Sequence, residues 1–500
     1  MSQLLKKNRL KIGKESNEHG DPCIAADEVS ISHSIILTLH NLPHSSRNCF
    51  RPPNPQRSLS LSSLSLSHVF QFSTTKQTEA VTKFPIHFHI YLSGIAKVVL
   101  KKGKTQLFKN GSPIVYSGAV DRIIGRPPPK TGDIVLVADG TEKPIGWGLY
   151  NSISMFCVRL MQLEEEAARD PSCALNIEKL LETRIHAAIQ SRRSLGLPSA
   201  NTNAYRLVNS EGDRLSGLII DIFGDLAVIA SSAAWVEKYK PQIKACISGL
   251  DGINYISWRP SIEILKEEGL YISDSKEIYP PIPLKRVKVM ENGISYLISL
   301  EGQKTGFYAD QRENRQFIST ISDGQKVLDM YCYSGGFALN ASRGGATNVT
   351  GVDSSLPALE LANENIALNN LDPGKISVLR RDATDFMKDA LSRNETWDII
   401  IMDPPKLAPR RKVLQSASGM YRNLNSLAMQ LTKRGGLLMT CSCSGAMTQS
   451  GTFLQTLQAA ASIAGRKITV IRQAGAAYDH PIDPSYPEGA YLSNILLRVL

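Results

Sequence analysis

Five short stretches in the second half of the chain carry residue types that can do chemistry. Gly335 and Gly336 follow the apolar run Val327 to Cys332, Asp353 and Asp382 each close a β-type run, Asp403-Pro404-Pro405-Lys406 follows WDIIIM, and Cys441 and Cys443 close GGLLMTCSCSG. Glycines let the backbone approach a ligand where a Cβ would collide, and the start of the helix beyond them offers free N–H groups. An acid about 20 residues past such a loop can accept hydrogen bonds from ribose hydroxyls, so the spacing of Asp353 fits a nucleoside-containing cofactor. A cysteine thiolate is a nucleophile, and the two prolines hold the turn after Asp403 rigid. Cys441 and Cys443 share a face if a strand runs through both and part only if it has already ended, so periodicity does not choose between them.

The elements that must position these residues read as strand-then-helix units over Val327 to Gly445. VLDMYC leads to the glycine loop and a helix over Phe337 to Arg343, NVTGVD to a second helix, ISVLRR to Asp382, WDIIIM to the DPPK turn and GGLLMTC to the cysteines. Ligands of an open parallel sheet bind off the carboxyl ends of its strands, and all five features fall there. The fold class is therefore α/β and Rossmann-like. The absence of G-x-G-x-x-G disfavours a nicotinamide dinucleotide site.

On GQKTGFYADQRENR (Gly302 to Arg315), DMYCYSGGFALNASRGGA, GVDSS, DPPK, SCSG (Ser442 to Gly445) and DHPIDPSYPEGAYL, the chain resembles the class I, S-adenosylmethionine-dependent large-subunit rRNA methyltransferase I family, a group of RNA cytosine-5 enzymes. The motifs recur in that family's order over roughly Val98 to Leu500. The resemblance implies a seven-stranded methyltransferase sheet, S-adenosyl-L-methionine as cofactor and ribosomal RNA as partner. It assigns the nucleophile to Cys443, with Asp403 and Lys406 beside it and Cys441 as a packed neighbour. It further implies cofactor contacts at Asp329, Tyr331, Gly335, Gly336, Phe337, Asp353, Ser354, Asp382, Ala383 and Asp403, with the glycines facing the amino-acid portion, Asp353 the ribose and Asp382 the adenine amine. Lys304, Phe307, Asp310, Gln311 and Arg312 are expected to line the cleft. Amine-directed methyltransferases carry an aromatic after the second proline, where this chain has Lys406, which argues for carbon chemistry. The other family of RNA cytosine-5 enzymes has a second cysteine at that place, and Lys406 departs from that as well. His480 is expected to serve as a structural hydrogen-bonding group rather than a proton shuttle.

Upstream, the 500 residues leave room for two to four domains, and a net charge of +11 favours a polyanionic partner. Eight cysteines without paired spacing point to a reducing compartment, no metal quartet is present, and no apolar run is long enough to predict a membrane partner. The oligomeric state is left open, with a homodimer compatible with the sequence. Residues 1–90 are expected to be disordered: from Val29 to Thr78 there is no acid while serine dominates, a transit-peptide composition that points to chloroplast or mitochondrion. Glu15, Glu18, Asp21, Asp27 and Glu28 count against that and keep the cytoplasm as the alternative. Residues 91–165 show short β runs between turns, a small β-barrel or meander that by resemblance is a PUA-like RNA-binding module headed by Lys101, Lys102, Lys104 and Lys109. Residues 166–285 mix helix and strand, and their Arg184, Arg192, Arg193 and Arg206 are candidates to face RNA. Residues 286–500 begin with a hairpin, VKVMENGISYLISL, and hold the catalytic sheet. A single helix is expected after Cys443, ended by Gly465, and a single helix over WVEKYKPQIKACISGL.

Overall fold

The structure is a computed structural model that describes residues 94–272, 277–279, 286–299, 305–408 and 410–500. The expected targeting segment and Lys304 lie outside the described residues.

Short β-branched runs punctuated by Gly and Pro build the first sheet from β1 (Lys97–Leu100), β2 (Ile114–Tyr116), β3 (Val120–Ile124), β4 (Ile134–Ala138), β5 (Pro144–Tyr150) and β6 (Phe156–Leu163). Its order is β2-β6-β5-β4-β1-β3 with β1 parallel to β4, so it is not a simple meander. The lysine-rich lead is a turn followed by a short helix, α1 (Thr105–Lys109), from which Lys101, Lys102, Lys104 and Lys109 reach solvent.

Next come α2 (Glu164–Arg169) and α3 (Ile177–Ser194), capped by the Asn176 side chain, and then a five-stranded sheet. That sheet contains β7 (Ala204–Asn209), β8 (Leu218–Phe223), β9 (Leu226–Ser231), β10 (Tyr255–Pro260) and β11 (Glu277–Tyr279), in the order β11-β10-β9-β8-β7. The helix expected between β9 and β10 is two, α4 (Ala234–Lys238) and α5 (Lys240–Ser248), because Pro241 can sit in a first helical turn but not in an interior. A sixth helix, α6 (Ile262–Glu267), follows β10. The hairpin of β12 (Arg286–Glu291) and β13 (Ile294–Ser299) turns at Asn292 and Gly293, both at positive φ, as a tight two-residue hairpin requires.

The last sheet takes β14 (Lys326–Met330), β15 (Asn348–Asp353), β16 (Ile376–Arg380), β17 (Trp397–Met402), β18 (Thr432–Ser442), β19 (Ile468–Ala474) and β20 (Ser493–Val499), in the order β16-β15-β14-β17-β18-β20-β19. The first five are parallel and β20 runs antiparallel to both neighbours, as expected for the final pair at the sheet edge. Alternate residues feed opposite faces. Val327, Ile399, Ile401, Met439 and Cys441 pack toward α7 (Arg312–Ile321), α8 (Gly336–Arg343) and α9 (Leu356–Leu368), while Leu328, Met330, Ile400, Met402 and Leu438 pack toward α10 (Ala383–Ser392) and α11 (Leu414–Leu431). Each fully buried aliphatic side chain contributes roughly 1.5–3 kcal/mol, which holds all five strand ends on one edge. Beyond Cys443 the expected single helix is also two, α12 (Gly445–Ser450) and α13 (Phe453–Ala464), parted by Gly451 at φ +67°.

Candidate active site

The loop after β14 is bent at three positions of positive φ, Tyr331, Tyr333 and Gly335. A bulky residue in that region costs on the order of 1–3 kcal/mol, and such strain concentrates at ligand sites. Gly335 is the N-terminal cap of α8. Gly336 has a steric reason to be glycine, since a Cβ there would stand 2.9 Å from Cδ of Arg315. That arginine cannot yield, because its guanidinium donates to both carboxylate oxygens of buried Glu291 at 2.8 and 2.6 Å. Gly336→Ala should therefore cost about 1–3 kcal/mol of stability, read as a lower denaturation midpoint, and weaken any ligand lying on this loop.

Asp329 sits beneath the loop, fully buried, with Oδ2 accepting from the N–H of Ala338 at 2.9 Å. Burial pushes its carboxyl pKa well above the usual range. The Ala338 N–H offsets part of this, and the negative fields of Asp403 and Asp353 add to it. Its Oδ1 has no hydrogen-bond partner. An orphaned buried carboxylate oxygen beside a glycine loop fits a ligand ammonium group. At the next strand end Asp353 accepts from the N–H groups of Tyr333 and Ser355, both at 2.9 Å, and Ser354 beside it is exposed. Asp382 is exposed and caps α10 through Oδ1, which accepts from Thr384 and Asp385 N–H groups while Ala383 behind it is buried.

The DPPK turn and the cysteine loop meet. Cys443 lies one residue past the end of β18, half-buried, with its Sγ 3.7 Å from the carbonyl oxygen of Pro404. Cys441 is still inside the strand and fully buried, with its sulfur accepting from Asn494 Nδ2 at 3.2 Å. Burial pushes its thiol pKa well above the ordinary value, so the two cysteines are chemically distinct. Asp403 is partly buried, and its Oδ2 accepts from Gln311 Nε2 at 3.1 Å. Gln311 in turn accepts from Asn314 at 2.7 Å. Lys406 stands half-buried beside it.

Three hydroxyls lock these loops together, two of them in the SCSG motif and the third, on Tyr421, in no sequence pattern. The Tyr421 hydroxyl accepts from Ser442 Oγ at 3.0 Å and lies 3.3 Å from Ser444 Oγ, which accepts from the N–H of Ala408 at 3.0 Å. Tyr421 is one apolar-face residue of α11 among many, so only the packing marks it.

Other expected cleft residues are spent elsewhere. Phe307 is a core residue, its ring between Phe223 and Tyr296 with Arg315 over it, and the Phe337 side chain is likewise in the core. Arg312 is buried in a bidentate pair with Asp479 at 2.8 and 2.9 Å. Asp310 accepts from the Tyr491 hydroxyl at 2.7 Å. His480 is buried, with Nδ1 2.8 Å from Asp479, which places it in a structural hydrogen bond. Of the four arginines that were candidates to face RNA, Arg192 and Arg206 are internal, paired with Asp213 and Asp221, and Arg184 is buried as well. Arg193 is exposed.

A strained glycine loop, an acid beneath it and acids at the next two strand ends of a parallel sheet define an S-adenosylmethionine-dependent methyltransferase. Residues 267–472 match the family described as S-adenosylmethionine-dependent methyltransferase, and residues 98–163 match the PUA-like domain. Two curated relatives are named ribosomal RNA large subunit methyltransferase I. The one from Alteromonas mediterranea is 34% identical over 406 residues, and that from Escherichia coli K12 is 33% identical over 405; each alignment covers 81% of this chain and 99% of the relative. The chain belongs to the ribosomal RNA large subunit methyltransferase I family. Two solved chains share its fold, each at 21% identity over 80% of this chain and 99% of the other: a methyltransferase from Streptococcus mutans with a TM-score of 0.67, and SMU.776, crystallised with SAH, at 0.68.

The residues present fit the cofactor. Gly335, Gly336 and the orphaned Asp329 oxygen would hold its amino-acid end, Asp353 its ribose and Asp382 its base. Asp329→Asn should weaken S-adenosylmethionine binding by about ten- to a hundredfold in calorimetry, the range for losing a charged hydrogen bond. Because the raised carboxyl must ionise to meet an ammonium, affinity should rise with pH through that pKa, and this dependence should vanish in the Asn variant.

Proposed function

We propose that this chain methylates carbon 5 of a cytosine in large-subunit ribosomal RNA, with Cys443 as covalent nucleophile. The placement of that thiol carries the proposal: it is half-buried, past its strand end and against the Asp403 turn, whereas Cys441 is sealed in the core. Carbon 5 of cytosine is a poor nucleophile. Addition of the Cys443 sulfur to carbon 6 moves the ring electrons onto carbon 5, which can then bond a methyl group. S-adenosylmethionine, when bound, would supply that methyl as an electrophile, its sulfonium–methyl bond breaking to leave the neutral thioether. Loss of the carbon-5 proton returns the electron pair to the ring and expels the Cys443 thiolate, so one proton leaves for each methyl that arrives. Asp403, whose Oδ2 accepts from Gln311, is assigned the bond to the cytosine amine or N3 in this reading, on a turn that Pro404 and Pro405 make rigid. Lys406, in place of the stacking aromatic of amine-directed enzymes, favours carbon over nitrogen as acceptor.

The names of the relatives support ribosomal RNA as substrate, and the PUA-like match adds a module for holding it. An organellar location belongs to the proposal and rests on the acid-poor, serine-rich stretch before Glu79. Bisulfite sequencing of organellar and cytosolic rRNA with and without the protein tests all three parts. One protected cytosine that disappears with the protein is the expected result. An unchanged map would sink the carbon-5 assignment, and a changed site in cytosolic rRNA alone would sink the organellar one.

A further inference from the structure

A cleft of about 490 Å³ opens far from the cysteines in sequence, between the end of β6 with α2, helix α3 and the turn Gly212–Arg214. Its charged lining is Glu166, Arg169, Asp170, Arg184, Asp213 and Arg214. The acids are engaged. Glu166 is paired with Arg214 and accepts from the Leu163 N–H, Asp213 accepts a bidentate pair from Arg192, and Asp170 accepts from Ser172. Arg184 is different. It is buried, and its guanidinium donates to two backbone carbonyls, those of Met161 and Arg214, with no carboxylate in ion-pair reach among the described residues. A guanidinium has five N–H donors, so donors remain, and none of the described residues forms an ion pair with it. Burial, with the Arg214 field added, pulls its pKa down to about 9, and the opposing field of Glu166 offsets only part of this.

Arg184 thus brings to this cleft a buried cation that no ion pair holds among the described residues. At its mouth Arg169 is exposed, and the fields of Lys109 and Lys143 reach Glu164, the first residue of the helix whose Glu166 and Arg169 line the cleft. A planar guanidinium with free donors suits a tetrahedral oxyanion, and exposed lysines on the neighbouring PUA-like module, Lys109 among them, suit a chain of such anions. We infer that this cleft seats a phosphate group of the RNA substrate, with Arg184 at its floor and Arg169 at its mouth, as an anchoring point separate from the methyl-transfer site. The inference rests on the RNA reading above.

The test uses the full-length protein and a fluorescently labelled large-subunit rRNA transcript, with affinity measured across a salt series, for Arg184→Gln and Arg169→Glu. Both variants should bind the RNA several-fold more weakly, with a salt slope reduced by about one, while S-adenosylmethionine affinity is unchanged. Should Arg184→Gln fail to fold by circular dichroism, Arg169→Glu, an exposed position, decides alone. Wild-type affinity and slope in the folded variants overturn the inference. So does a thermal shift with inorganic phosphate that is lost in Arg184→Gln while RNA binding stays intact, since that assigns the cleft to free phosphate. A wild-type protein that does not bind the transcript at all fails the RNA reading itself, an outcome distinct from variants that match a binding wild type.

Discussion

Cys443→Ala is expected to lose methyl transfer by on the order of 10⁴-fold or more while S-adenosylmethionine binding stays within about twofold, because the proposed nucleophile goes and the strand ends proposed to hold the cofactor do not move. Single-turnover transfer from labelled cofactor to rRNA measures the first quantity and calorimetry the second. The control is Cys441→Ala. Its sulfur lies in the core with Asn494 donating to it, so its removal should cost about 1 kcal/mol of stability and leave turnover within tenfold. An active Cys443→Ala protein would end the covalent mechanism. Loss of activity in Cys441→Ala alone would move the nucleophile two residues back.

The largest expected effect on stability is at Asp479. Its carboxylate, wholly buried, accepts from Arg312 through both oxygens, from His480 Nδ1 and from the Arg206 N–H, while its own carbonyl accepts from Arg192. One residue thus ties the C-terminal loop to α7, β7 and α3. Asp479→Ala leaves both terminal nitrogens of Arg312, whose Nε keeps Glu313, together with an imidazole and a backbone N–H, without this acceptor in the interior, at a cost of about 3–5 kcal/mol. Arg312→Ala should cost less, because Asp479 keeps His480 and the Arg206 N–H. Chemical denaturation orders the two, and the reverse order would show that the arginine and not the acid is the hub. Burial alone would raise the Asp479 pKa, but His480 and Arg312 outweigh it and hold the carboxyl far below its usual value. A depressed folded pKa contributes stability that is complete above the unfolded value near 4 and is lost as pH falls below it. The wild-type protein should accordingly lose stability below about pH 4 more steeply than Asp479→Ala does.

The features at the strand ends were legible because each is set by local chemistry. An apolar run stops at a glycine pair, at a lone acid or at a proline pair, and the parallel sheet brings all of these stops to one edge. The same locality explains the errors. Phe307 and Arg312 lie in a stretch rich in turn, aromatic and basic residues that looks like a cleft wall. Whether such a side chain faces a ligand or the interior depends on partners a long way off in sequence, here Tyr296 and Phe223 for the ring and Asp479 for the guanidinium. The helix breaks at Tyr239 and Gly451 were missed because apolar spacing continues across both, while one proline and one left-handed glycine interrupt the backbone.

By itself the sequence determined the order of strands over Val327 to Gly445, the residues at each strand end there and the family, since alternation, breaker residues and motif spacing are properties of neighbours along the chain. Tertiary structure alone decided how deeply each of the two cysteines is buried, that Tyr421 joins the cysteine loop to the DPPK turn, and that Arg192, Arg206 and Arg312 serve as internal ion pairs. Burial is the physical reason. An exposed charge and a buried one are spelled with the same letter, and the desolvation that separates them is set by whatever the fold packs against it.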